Sequence, residues 1–168
     1  MRVGDADSVK MSAMATPADD DDTQSPTWES HAWSEWFLLD AAITPRGAKA
    51  PDTPGLYRLR CKRQSGLIYI GETGDSLRTR LRQLRKATEY VARGRPPGPP
   101  HVAGGCVLEH ENAGFVVEVS WVEKPTLDSR DRKGVECELI AAYRKTTGKN
   151  PICQFGGHFY EGQHGISH

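Results

Sequence analysis

Hydrophobic and polar residues alternate in two short segments that a polar, glycine-containing turn separates. The segments run from Leu56 to Cys61 and from Leu67 to Gly71, and both are rich in strand-forming residues. A turn centred on Arg63 places Tyr57 directly opposite Tyr69, on the same face of the hairpin. The pattern therefore predicts a β-hairpin that brings two phenols together.

A helical pattern follows the hairpin directly. Three leucines recur from Leu77 at the spacing i, i+4 and i+7, which gives one apolar stripe. Asp75 or Ser76 can cap the start of this helix. We expect the helix to run to about Arg93, because a run of glycines and prolines follows and cannot continue it.

Three further segments complete the predicted fold. Residues Trp28 to Ile43 show helical spacing, Phe115 to Glu123 alternates as a strand, and Asp131 to Thr147 has a helical apolar side that Gly148 closes. The predicted fold class is α/β, of the α+β type: a small three-stranded antiparallel sheet flanked by helices.

The chain of 168 residues has the length of one domain with a tail. Residues 1–26 hold six aspartates against two basic residues, a net charge of −4, and almost no aromatic side chains. Such a segment cannot bury enough apolar surface to offset its ordering entropy. We expect residues 1–26 to be a disordered acidic leader, and residues 27–168 to form a single domain with an N-terminal helix and a C-terminal tail.

Charge is segregated along the chain although the formal net charge is zero. Residues 76–95 hold seven arginines and lysines against one glutamate, a net charge of +6. A basic stripe on one element is the electrostatic footprint of a nucleic-acid-binding protein. The residues predicted to follow the phosphates are Arg78, Arg82, Arg85, Lys86, Arg93 and Arg95.

Apolar runs and cysteine spacing limit the location of the protein and the kind of metal site that it can hold. No apolar run reaches the roughly 20 residues that span a bilayer, and the N-terminus lacks the apolar core of a signal peptide. We therefore expect a cytoplasmic protein without a membrane segment. The four cysteines lack the Cys-x-x-Cys spacing of a zinc site, so they are predicted to be free thiols.

The hairpin carries two short motifs. Residues Gly55 to Tyr57 read Gly-Leu-Tyr, and residues Tyr69 to Gly71 read Tyr-Ile-Gly. In this order, before a basic helix, they resemble the GIY-YIG nuclease family, with leucine in place of isoleucine in the first motif. The resemblance implies a GIY-YIG-like fold and a divalent-metal-dependent endonuclease that hydrolyses phosphodiester bonds in DNA.

The resemblance also implies roles for individual residues. Tyr57 and Tyr69 position or activate a water, and the arginine of an Arg-Leu pair on the next helix clamps the phosphate. Arg80 fits that pair, one residue further along than is usual, and Arg78 is the alternative. Glu136 fits the Glu-x-x-Leu-Ile pattern of the metal-binding carboxylate, which implies Mg²⁺ or Mn²⁺ as cofactor.

Helix geometry supports the choice of Glu136. It shares its helix face with Leu139, Ile140 and Tyr143, whereas Glu138 lies about 200° round the helix. A carboxylate on the inward face can hold a hard cation such as magnesium, which prefers oxygen ligands. Glu138 is interpreted as a solvated residue.

Two positions depart from the family pattern. The family closes with an asparagine near a proline, and here either Asn150 or Gln154 can fill that role. Some restriction-enzyme members carry a histidine four residues after the arginine, where this chain has Leu84. His101 can supply an imidazole from a loop, but a loop histidine is more often incidental.

Several functions remain open from sequence. A restriction or defence endonuclease is the first, a structure-specific or single-strand nuclease of DNA repair or mobile DNA is the second, and a non-catalytic nucleic-acid-binding module is the third. The sequence does not separate DNA from RNA as the partner. A homodimer would make cutting of both strands easier, but the pattern identifies no interface.

Overall fold

The computed structural model describes residues 22–95 and 101–155. The first 21 residues of the predicted leader lie outside this range, as do residues 96–100 and the end of the predicted tail, residues 156–168. Residues 22–26 belong to the folded part, since Thr23 is fully buried. Within the described ranges there are four strands, β1 (Phe37–Leu38), β2 (Gly55–Cys61), β3 (Tyr69–Thr73) and β4 (Val117–Glu123), and four α-helices, α1 (Leu39–Ile43), α2 (Leu77–Ala92), α3 (Gly104–Asn112) and α4 (Ser129–Thr147).

The described strands form one antiparallel sheet in the order β1-β4-β2-β3. The α/β class and the antiparallel sheet flanked by helices are confirmed, but the predicted count of three strands was wrong. The fourth strand, β1, lies inside the segment predicted as a helix from Trp28 to Ile43, which instead contains a 3-10 turn, β1 and the short α1. The reason is tertiary: Ser34 donates its N–H to the Trp121 carbonyl and Phe37 pairs with Val119, so β4 draws this segment alongside it.

The register of the hairpin also differs from the prediction. Tyr57 pairs with Gly71, and Leu59 pairs with Tyr69, so the two tyrosines are diagonal rather than directly opposite. The turn is longer than expected, because β3 begins at Tyr69 and the connection takes positive φ angles of 63° at Arg63 and 84° at Gly66. A shift of two residues keeps every side chain on its face, so both phenols still share one side of the sheet.

The helix ends follow local sequence signals. The Ser76 hydroxyl accepts the N–H of Thr79 at 3.0 Å at the start of α2, and Gly148 ends α4 with φ of 75°. Helix α3 was not predicted, since its Gly-Gly start carries little helical signal. Those glycines allow close packing on α2: a Cβ at Gly104 would lie 2.5 Å from the Ala87 Cβ.

Two apolar clusters cover the two faces of the sheet. One joins the sheet to α2 and α3 and contains Tyr57 and Leu59; the other joins it to α4 and the tryptophan-rich N-terminal segment and contains Leu56. Strand β2 alternates between them, as a central strand buried on both sides must. The Tyr57 face is the one that carries the candidate site.

The prediction of four free thiols was wrong for two cysteines. Cys106 and Cys153 form a disulfide across 47 positions of sequence, whereas Cys61 and Cys137 are free. No local spacing announces this pair, because only the packing of α3 beside the C-terminal segment brings the two sulfurs together. None of the helices in the described ranges is both long and apolar enough to span a bilayer.

Candidate active site

The two tyrosines of the hairpin meet over a glycine. The rings of Tyr57 and Tyr69 lie 6.0 Å apart between centroids. A Cβ at Gly71 would come within 2.6 Å of the Tyr57 hydroxyl and 2.7 Å of the Tyr69 ring, so no larger residue fits beneath the pair. Gly71, the glycine of the second motif, therefore lies directly against both phenols.

An imidazole completes the tyrosine pair from a distant loop. The Nε2 atom of His101 lies 2.6 Å from the Tyr57 hydroxyl, and the backbone N–H of Ala103 donates to His101 Nδ1 at 3.2 Å. Burial, aided by the positive charge of Arg80, lowers the pKa of His101 to about 3. The ring is therefore neutral, and because Nδ1 accepts, Nε2 carries the hydrogen and donates it to the Tyr57 oxygen.

The sequence offered this histidine as a source of an imidazole but favoured an incidental loop residue, and the structure places its ring against both tyrosines. Its ring lies 5.3 Å from the Tyr69 ring between centroids, and only 2% of the residue is exposed. No local motif marked His101 as a site residue, since it stands 32 positions after Tyr69 and follows a run of prolines. Its contacts with Tyr57 and Tyr69 join segments far apart in sequence.

Both phenols are protonated at neutral pH. Burial, with a further contribution from Tyr69, raises the pKa of Tyr57 well above its usual value, and burial together with Glu136 raises the pKa of Tyr69. The Tyr57 hydroxyl opposes part of that rise in the pKa of Tyr69. The hydrogen bond between His101 and Tyr57 thus lies next to the Tyr69 ring.

The structure distinguishes the two candidate arginines. The Arg80 guanidinium lies within hydrogen-bonding reach of the Tyr57 hydroxyl, and its charge also acts on Tyr69 and Glu136. Arg78 instead donates from Nε to the Ala50 carbonyl at 3.0 Å. Only Arg80 of these two therefore lies with the tyrosines.

Glu136 reaches the site from α4. It is partly buried, and it accepts a hydrogen bond from the backbone of Glu72. Burial and the negative charge of Glu72 raise the pKa of Glu136 to about 7, against the opposing effect of Arg80. Glu138, two residues on, is exposed, as the helix geometry predicted.

The donor set at Glu136 fits a hard divalent cation. Two carboxylates, Glu136 and Glu72, lie close enough for one to raise the pKa of the other. The positive charge nearest to Glu72 is on Arg132, whose Nε lies 3.5 Å from Glu72 Oε2. Magnesium prefers carboxylate oxygens and would relieve the repulsion between the two groups. Glu72 was not among the residues that the sequence singled out, since nothing in its strand context marks it as a ligand.

The two amides proposed for the supporting role lie in different surroundings. The side chain of Gln154 accepts the Ile70 N–H at 3.0 Å and donates to the Ile70 carbonyl at 2.8 Å, so it completes the hydrogen bonding of edge strand β3 between Tyr69 and Gly71. Asn150 accepts from Arg144 Nε at 2.8 Å in an exposed position. Gln154, and not Asn150, therefore contacts the tyrosine strand.

The predicted phosphate-binding residues divide into two groups. Arg85 bridges Asp40 at 2.8 Å and Glu111 at 2.9 Å, and Arg78 is held by a backbone carbonyl, so both take part in the packing of α2. The other four are exposed: Arg82, Lys86, Arg93 and Arg95. Of these, Arg82 also donates from Nε to the Ile43 carbonyl at 3.4 Å.

Solved structures offer a comparison. The chain is similar to the GIY-YIG N-terminal endonuclease domain of UvrC from Thermotoga maritima. A tyrosine-to-phenylalanine point mutant bound to its catalytic divalent cation gives 22% identity and a TM-score of 0.40, over 63% of this chain and 89% of that one. The magnesium-bound form gives 23% identity and a TM-score of 0.38, over 63% and 90%.

These values describe a distant likeness. No protein-family model matches the chain, and no curated protein does.

Proposed function

We propose that this protein is a divalent-metal-dependent endonuclease that hydrolyses phosphodiester bonds in DNA. The observation that carries the proposal is the convergence of two phenols, an imidazole, a guanidinium and a carboxylate from separate elements. Phosphodiester hydrolysis needs a positioned water, a cationic clamp on the phosphate and a counter-charge for the leaving oxygen. This site offers a group for each need.

The exposure of each group indicates whether it contacts the substrate directly or acts through a neighbour. Tyr57 is fully buried and Tyr69 is 5% exposed, while Arg80 and Glu136 are partly exposed. Tyr69, Arg80 and Glu136 are therefore the groups that a substrate meets first. Tyr57 acts through Tyr69, and His101 acts through Tyr57.

Water positioning follows the arrangement of the two phenols. The Tyr69 hydroxyl, which is protonated at neutral pH, orients the attacking water by a hydrogen bond, and the proton that the water loses passes to solvent. Tyr57 packs against Tyr69 and holds it in place, and His101 fixes the Tyr57 hydroxyl through its hydrogen bond. The guanidinium of Arg80 binds the phosphate, for which its planar geometry is suited.

Glu136, with Glu72 beside it, is the group that would hold the cation. When bound, Mg²⁺ or Mn²⁺ supplies a Lewis acid that neutralises charge on phosphoryl oxygens. Glu136 must lose its proton to act as a ligand, and a pKa of about 7 makes that loss a function of physiological pH.

Glu136→Gln tests the proposal, and Glu138→Gln is its matched control on the exposed side of α4. Supercoiled plasmid, duplex, flap and single-stranded oligonucleotides are incubated with and without magnesium, and the ends are mapped. We expect Glu136→Gln to lose cleavage about 1,000-fold while it keeps DNA binding, and Glu138→Gln to cut like wild type. Wild type that cuts none of these substrates with magnesium or manganese would contradict the nuclease assignment.

The same set of DNA substrates tests the more specific proposals about the biological role of the protein. Cutting of plasmid duplex at a fixed sequence fits a restriction or defence nuclease acting in the cytoplasm, and a homodimer would then appear by light scattering in the presence of DNA. Preference for flaps or single strands fits a repair or mobile-DNA nuclease. Binding without cleavage, weakened by salt with a slope of roughly −0.9 per phosphate contacted, fits a binding module that uses the exposed residues of α2.

A further inference from the structure

A disulfide lies beside the candidate site and takes no part in the chemistry proposed above. Cys106 and Cys153 are 1% and 0% exposed. His110 stands one helical turn after Cys106, and its Nδ1 lies 3.9 Å from Cys106 Sγ and 2.8 Å from the Cys106 carbonyl oxygen. Cys106, His110 and Cys153 form a cluster in which the sulfur and nitrogen atoms that could bind a metal lie within 4.8 Å of one another.

The two ends of the disulfide are anchored unequally. Helix α3 packs closely against α2 through Gly104, so it has a packing partner besides the bond. Residues 151–155 are a short turn that contacts β3 through hydrogen bonds: Cys153 N–H donates to the Ile68 carbonyl at 2.8 Å, and Gln154 pairs with Ile70. The disulfide therefore joins a short turn on edge strand β3 to a helix of nine residues packed on α2.

We propose that Cys106 and Cys153 form a thiol–disulfide switch that controls how firmly Gln154 holds strand β3. In the disulfide state Gln154 stays on Ile70, next to Tyr69 in the chain. In the dithiol state residues 151–155 leave β3 more often, and the edge strand loses its partner beside Tyr69. The switch goes beyond the proposed function, since its structural effect is present whatever reaction the site performs.

Reduction and reoxidation of the Cys106–Cys153 pair require only a dithiol and a low-molecular-weight disulfide. A thiolate of a dithiol reductant attacks one sulfur of the pair, and the Cys106–Cys153 bond breaks to free the other cysteine. The second thiol of the reductant then displaces the attacked cysteine from the mixed disulfide. Two electrons and two protons pass to the protein, and the reductant becomes a disulfide. A low-molecular-weight disulfide such as oxidised glutathione reverses the change. Because both sulfurs are buried, exchange requires opening of residues 151–155 and is expected to be slow.

Hydrogen exchange followed by mass spectrometry tests the switch on the full chain. The protein is prepared with oxidised glutathione or with dithiothreitol, and thiol titration after unfolding confirms two or four free thiols. We expect the amides of Ile70 and Cys153 to exchange about tenfold faster in the reduced protein, with those of α4 unchanged. Equal exchange in the two states at Ile70 and Cys153 would overturn the proposal.

Two serine variants complete the design, and chemical reduction of wild type keeps the test valid if either fails to fold. Cys153→Ser should exchange like reduced wild type in both buffers, while Cys137→Ser, at the exposed free cysteine, should keep the full redox response. Zinc added to reduced protein is the competing arm. Stoichiometric zinc that Cys153→Ser abolishes and Cys137→Ser retains would show a metal-binding cluster instead and would overturn the switch. Failure of DNA cleavage alone would not, because exchange is measured without substrate.

Discussion

Tyr57 and Arg58 are neighbours on β2, yet they point to opposite faces of the sheet and are held in different ways. Tyr57 meets groups from β3, α2, the His101 loop and α4. Arg58 is also fully buried, and the N-terminal segment supplies the contacts described for its guanidinium: three carbonyls from residues 23–25 accept its hydrogen bonds, and the rings of Trp33 and Trp36 lie 4.4 and 4.8 Å from it.

The surroundings of these two residues indicate that one face of the sheet serves chemistry and the other serves stability. Around Arg58 the partners are backbone carbonyls and aromatic faces, which are satisfied by the contact and leave no group for a substrate. Around Tyr57 the partners are titratable side chains, several with pKa values displaced by burial and by one another. Groups with shifted pKa values that converge from many elements indicate a functional site. A buried charge whose described partners are backbone carbonyls and aromatic rings instead indicates a role in stability.

The largest effect is expected on the Arg58 face. Arg58→Leu leaves three carbonyls without their charged donor, and the free energy of unfolding should fall by about 3–5 kcal/mol. Chemical denaturation measures the loss, with the exposed Arg93→Ala as control, expected to change by less than about 0.5 kcal/mol. If the folded fraction of Arg58→Leu also lost DNA cleavage, the two faces would not be separable.

On the Tyr57 face, His101 should make stability depend on pH. The unfolded histidine takes up a proton below its usual pKa of 6.5, whereas the folded ring stays neutral until about pH 3. Stability is therefore full above pH 6.5 and is lost as the pH falls towards 3, by an amount on the order of 3 kcal/mol. Urea denaturation of wild type and His101→Gln across this range isolates the effect, because glutamine does not titrate.

Cleavage by the same variants sharpens the assignment of His101 as a positioning residue. Glutamine can still donate to the Tyr57 hydroxyl, so His101→Gln should keep most of the activity, and His101→Ala should lose it about 10- to 100-fold. Equal activity of the alanine and glutamine variants would mean that the imidazole only fills space.

Gly71→Ala should damage both stability and activity. The added Cβ meets Tyr57 and Tyr69 at 2.6–2.7 Å, so the phenols must move, at a cost of about 1–3 kcal/mol. Gly134→Ala is the matched control, since a Cβ there meets nothing within 4 Å. Thermal unfolding and plasmid cleavage give the two readouts, and unchanged cleavage by Gly71→Ala would argue that the close approach of the tyrosines is not required.

The smallest effect separates the two amides. Gln154→Ala removes both hydrogen bonds to Ile70 and should destabilise the protein by about 1–2 kcal/mol, whereas Asn150→Ala removes one exposed bond and should cost less than about 0.5 kcal/mol. Thermal unfolding measures both. A larger loss in cleavage for Asn150→Ala than for Gln154→Ala would reverse their assignment.

Local pattern was enough to place several parts of the site. Tyr57 and Tyr69 were expected on one face because strand alternation has a period of two, and an error of two residues in the register left that conclusion intact. Glu136 was expected to point inward because helix periodicity groups it with Leu139 and Tyr143, both of which are buried. The preference for Arg80 over Arg78 agrees with the contacts of each side chain.

Other parts depended on contacts between segments far apart in sequence. The N-terminal segment was predicted as a helix from its aromatic spacing, but β4 and Arg58 impose a turn and a short strand on it. His101 and Glu72 carry no local signal for the site, and Arg85 was expected on the phosphate surface until its two carboxylate partners were found. Side-chain identity does not encode such partners when the segments meet only after folding.

By itself the sequence determined the alternating strands, the caps of α2 and α4, and the pair of short motifs that place phenols beside a basic helix, because each of these depends on neighbours within one or two turns of chain. Only the tertiary structure decided that His101 bonds to Tyr57, that Gln154 supports β3, and that Cys106 joins Cys153. These contacts span 44, 84 and 47 positions of sequence, and closing such distances depends on the packing of the whole domain rather than on local preference.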